Sequence, residues 1–194
     1  MFDTRDPTNI GTVHTRLSWA NSSLGPWQWL EPAGLTGPSI VPLGSAGEFD
    51  SHIVFPAHTP FVDPSDGKIR LYYAGGNGPH NGARNTSMGL ATLRSDGFGG
   101  IGGTGSWQSV PIMVSGELLT VSADVKGSTG SVRIGAPGHE GIGVADAIPI
   151  GESVTDAVVR FTGGGSFSTL LGKMVVLEVA MVDATVFTIG FKRT

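Results

Sequence analysis

The chain has 194 residues, no cysteine and a formal net charge of −4, which excludes a disulfide framework, thiol catalysis, thiolate metal sites and the basic face of a general phosphate-backbone binder. Glycine and proline number 31 and 12, yet the 39% hydrophobic residues are spread in short runs along the whole length, the composition of a folding chain and not of a low-complexity one. The longest apolar stretch, 173–182, is too short and interrupted for a bilayer span of roughly 20 apolar residues, and Met1–Pro7 lacks a secretory signal's basic and apolar regions, which leaves the compartment undecided.

Turn residues recur about every ten positions between runs rich in Val, Ile, Leu, Phe and Thr, and no segment sustains a 3.6-residue period. The pattern predicts an all-β chain, with strands near 12–19, 27–30, 53–55, 69–74 and 87–93 in its first half. In Lys68–Ala74, Ile69, Leu71 and Tyr73 fall on one face and Arg70 and Tyr72 on the other, the period of a half-buried strand. Asp66-Gly67 before it is a hairpin signal, because glycine tolerates the positive φ such turns need. Asp96–Gly105 holds six glycines in ten residues without periodicity and is expected as the junction between a first domain, 1–104, and a second, 105–194. Beyond it, strands are predicted near 110–114, 118–125, 131–134, 156–161, 173–182 and 185–191, the last pair closing as a hairpin through Asp183-Ala184. That number of strands in roughly 90 residues suits a two-layer β-sandwich.

Three stretches, Gly47–Pro56, Ile69–His80 and Met88–Phe98, taken in order, resemble the last blade of five-bladed β-propeller proteins related to glycoside hydrolase families 32 and 43. Upstream, Leu17–Trp19, Trp27–Trp29 and Ile40–Gly44 are similar to the preceding blade; downstream, the second half resembles the C-terminal sandwich of the same proteins. The resemblance implies an incomplete propeller-like N-terminal half followed by a β-sandwich, in a C-terminal fragment or shortened relative of a glycosidase, with carbohydrate as the ligand. About 100 residues precede the sandwich, enough for about two four-stranded blades, so the propeller cannot close on this chain alone. The strand edges left over are expected to be covered by the sandwich or by a second copy in a homo-oligomer.

Glycoside hydrolysis commonly needs two carboxylates flanking the scissile bond, and few candidates exist. Asp50, in the best-matched blade, is the candidate catalytic carboxylate, weighed equally against a turn-capping role. Asp6, in Arg5-Asp-Pro7, matches a family 32 triplet but reads as a chance tripeptide, because Gly11–Trp19 follow too soon for the rest of a blade. His52, Asn77, His80 and Arg84 are the candidate sugar contacts; the last three share the polar loop 77–84, whose other reading is a connection that only satisfies its own backbone. Trp19, Trp27, Trp29 and Trp107 are candidate stacking platforms or core residues. His52 and His58 lack zinc spacing, His139-Glu140 reads as a solvated loop, and the 97–103 glycines lack the Lys-Ser/Thr of a phosphate loop, so neither metal nor cofactor is expected. The alternative function is a non-catalytic structural or adhesive β protein working through protein contacts.

Overall fold

The computed structural model describes residues 11–29, 39–81 and 83–194; the candidate Asp6 and the end of the expected strand 27–30 lie outside them. Among the described residues the protein is all-β, with a single 3-10 turn and no α-helix, and no helix is long and apolar enough to cross a membrane. The chain divides into two compact units after Phe98.

In the first unit, β1 (Ser18–Trp19) and β2 (Gln28–Trp29) form a small hairpin. The main sheet contains β3 (Ile53–Pro56), β4 (Phe61–Val62), β5 (Ile69–Gly76) and β6 (Thr86–Leu93), all antiparallel. β5 is central: β3 and β4 follow one another along one side of it, and β6 pairs along its whole length on the other. The expected alternation places Ile69 in the core and leaves Tyr72 exposed. The β4–β5 connection is a tight turn with Gly67 at φ +68°, and the Asp63 carboxylate accepts from the Ser65 backbone N–H and hydroxyl at 2.9 and 2.6 Å. Arg70 closes the turn with an ion pair to Asp66 at 2.7 Å. A short segment beside β3 completes the unit: Val13 bridges Ile53 in parallel, Thr15 bridges Val41, and Val54 N–H donates to the Val13 carbonyl at 3.0 Å.

The second unit contains β7 (Ile101–Gln108), β8 (Ile112–Met113), β9 (Leu118–Val125), β10 (Ser131–Gly135), β11 (Val154–Val158), β12 (Met174–Val175) and β13 (Glu178–Lys192). β8 and β12 pair with each other, and the rest form one sheet built around β13. Nineteen buried side chains, among them Leu119, Ile134, Phe167, Leu177 and Val179, form its core, against five buried hydrophobic residues described in the first unit. Burial stabilises by about 25 cal/mol per Å² of apolar surface, so among the described residues the second unit holds most of the hydrophobic stabilisation.

The structure departs from the sequence expectation at two places. The glycine run is not a junction throughout: from Ile101 onward it is β7, paired with β13. Its glycines allow close approach, since a Cβ on Gly102 would lie 2.9 Å from Thr185 Oγ1. The terminal hairpin is also absent, because 178–192 runs as one strand. Residues Glu178–Val182 pair with β10, then Ala184–Lys192 pair with β9. Asp183, at φ +42°, marks the switch as a bulge; a reversal of a two-residue type I′ turn needs positive φ at both central residues. Thr104 Oγ1 accepts from Asp183 N–H at 3.0 Å, and the Asp183 carbonyl accepts from Lys126 N–H at 2.8 Å, so the bend is held from two sides.

Candidate functional site

Asp50 lies in the turn before β3 and is 7% exposed. Tyr73, from β5, donates its hydroxyl to Asp50 Oδ2 at 2.7 Å, and Phe49 stacks on the Tyr73 ring with centroids 6.0 Å apart. Glycine at 75 makes the approach possible: a Cβ there would lie 2.6 Å from Asp50 Cβ. Burial first, then the hydrogen bond to Asp50, pushes the Tyr73 phenol up to about 12. Asp50 is thus a buried acceptor that ties the 49–52 turn to the central strand.

His52 donates its backbone N–H to Gly76 and accepts from Val13 through its carbonyl, while its Nδ1 lies 3.0 Å from Ser51 Oγ. In the 77–85 loop, Asn77 Oδ1 accepts from Asn85 N–H at 2.9 Å, and Arg84 Nη1 donates to the carbonyls of Pro79 and His80. These bonds shape the loop and carry His80 to Phe55, where the two rings meet edge to face at 5.9 Å. Among the described residues no group of three or more His, Asp or Glu side chains is placed to hold a metal ion.

The structure draws attention to an open cleft of about 300 Å³ in the first unit. Val13, Val54 and Pro56 line it together with Trp29, Phe55, His14 and Arg16. Trp29 and Phe55 are 40% and 41% exposed, enough to offer ring faces or edges to a ligand. His14 is positioned by contacts of its two ring nitrogens with Thr12 Oγ1 at 3.2 Å and Ser39 Oγ at 3.4 Å. Of the residues picked from the sequence, Trp29 lines the cleft and His80 touches its wall through Phe55; Asp50, His52, Asn77 and Arg84 are not among the lining residues. His14, Arg16 and Phe55 carried no sequence signal beyond a strand-like run, because their convergence depends on the parallel bridge between Val13 and Ile53.

Comparison of the chain with protein-family models, with curated proteins and with solved structures finds no match.

Proposed function

We propose that this chain recognises carbohydrate through the cleft of its first unit, as a propeller-like sheet followed by a β-sandwich. The observation that carries the proposal is the pairing of half-exposed Trp29 and Phe55 with His14 and Arg16 around one open cleft. Sugar rings present apolar C–H faces that stack on aromatic rings, and hydroxyls that accept from a guanidinium or exchange hydrogen bonds with an imidazole. Asn77 and Arg84 act as positioning residues that hold His80 on Phe55, and Asp50 anchors the turn ahead of β3. The antiparallel succession β3, β5, β6 supports the blade-like assignment. A second, two-stranded sheet of β8 and β12, whose Val175 joins the same buried core as the β13 sheet, supports the sandwich.

Binding without hydrolysis by this chain alone is the form of the proposal, because Asp50 is hydrogen-bonded to Tyr73 and no carboxylate is among the described residues that line the cleft. A glycan array followed by calorimetry tests it. Trp29→Ala and Arg16→Ala should each weaken binding about tenfold or more, the effect of losing roughly 1.5–3 kcal/mol, with unchanged circular dichroism. The proposal fails if the parent protein binds no glycan, or if both variants bind as it does.

The alternative of a structural or adhesive protein rests on a different observation. Cross-strand register puts Phe61 opposite Arg70, Tyr72 opposite Leu90, and Phe55 and Met88 on either side of Ala74, so one sheet face gathers five large hydrophobic residues, all exposed. Contiguous apolar patches of this kind mark contact surfaces.

A further inference from the structure

The outer edge of the first unit's sheet has a composition that edges normally avoid. Among the described residues, β6 pairs with β5 alone. Its eight residues, Thr-Ser-Met-Gly-Leu-Ala-Thr-Leu, include no charge and no proline, and its register with β5 is continuous, without a bulge. Lysines, prolines and bulges are the devices that keep edge strands from pairing with other chains, and β6 has none of them.

The hydrogen-bond pattern shows which groups face outward. Tyr72 and Gly76 accept from the N–H groups of Ala57 and His52, so even-numbered residues of β5 turn their backbone toward β3 and odd-numbered ones toward β6. Through the register Tyr73 to Gly89, the odd-numbered residues of β6 are spent on β5. The N–H and C=O groups of Thr86, Met88, Leu90 and Thr92 therefore point to the free edge.

We propose that β6 is a dimerisation edge, pairing antiparallel with β6 of a second copy of this chain across a two-fold axis at Gly89. A second copy fits because the strand satisfies its own requirements. With Gly89 opposite Gly89, Met88 faces Leu90 and Thr86 faces Thr92 of the other copy, so outward groups meet outward groups and each such pair exchanges two hydrogen bonds. The same register places two Met88–Leu90 pairs together on the apolar face, where these side chains are 67% and 49% exposed in the single chain. A register shifted by one residue would set outward groups against groups already bonded to β5. Although the chain is acidic overall, no charge lies on the strand, so the two copies meet there without repulsion. A two-fold contact of this kind is closed, which limits assembly to a dimer.

Sedimentation velocity and light scattering on the full chain test the proposal. The parent protein is expected to be a dimer at about 0.1 mM, in the ordinary micromolar range of such contacts. Leu90→Pro removes an outward N–H and no bond to β5, and Met88→Lys places a charge at the seam; each should weaken association at least tenfold. Phe61→Lys alters the same apolar face on β4, away from the edge, and should leave the dimer intact. A monomeric parent protein overturns the proposal, as does a dimer that survives Met88→Lys with native circular dichroism. A dimer lost in Phe61→Lys as well overturns it in favour of face-to-face packing. If Leu90→Pro does not fold, Met88→Lys and Phe61→Lys decide the matter by themselves.

Discussion

Replacing Tyr73 by Phe removes one hydroxyl and keeps the ring, so it isolates the bond that holds Asp50. A hydrogen bond to a charged acceptor contributes about 1.5–3 kcal/mol, and removing the donor leaves Asp50, 7% exposed, without that partner. The phenol is raised from the usual 10.0 to about 12, by burial first and then by this bond. Urea unfolding should be followed by fluorescence in a Trp107→Phe background, where Trp19, Trp27 and Trp29 report on the first unit alone. The midpoint should fall by about 1–2 M. The pH dependence adds a second signature. The folded phenol keeps its proton after the unfolded one has lost it, so its stabilisation is complete below about pH 10 and is lost as pH rises through about 12; in Tyr73→Phe that decline should flatten. Gly89→Ala supplies an independent check, because its Cβ would collide with the Tyr73 ring and displace the hydroxyl from Asp50. The two substitutions should therefore cost less together than the sum of their separate costs. An unchanged midpoint and an unchanged alkaline decline in Tyr73→Phe would refute the clamp.

Two further outcomes concern the cores. With five buried hydrophobic residues described in the first unit and nineteen in the second unit's core, thermal unfolding should show two transitions, the tryptophans of the first unit responding before the near-ultraviolet signal of Phe161, Phe167 and Phe191; a single coincident transition would count against independent units. Phe167 is 1% exposed and meets the rings of Phe161 and Phe191 at 6.0 and 5.3 Å, so Phe167→Ala should cost about 3–5 kcal/mol in the second transition only, measured by calorimetry.

The all-β character and several strands were legible in the sequence because side-chain alternation is a local property. Ile69 and Tyr72 announce opposite faces of β5 with no knowledge of their neighbours, and Asp66-Gly67 announces the turn before it through the φ that glycine alone adopts readily. The candidate site was legible only in Trp29 and, at its margin, His80. What tertiary structure decided was partnership. The glycine-rich 101–105 segment has no pattern of its own and becomes part of β7 because β13 supplies its hydrogen bonds. Asp183-Ala184 is composed like a turn, yet the chain continues through it because β10 and β9 take up its two flanks in succession. Asp50 looks like an exposed acid until Tyr73, twenty-three positions away, covers it. Arg16 and His14 join Phe55 only because Val13 bridges Ile53. In each case the determining contact joins residues far apart in the chain, whose closure is settled by packing and hydrogen bonding in three dimensions and leaves no local period to read.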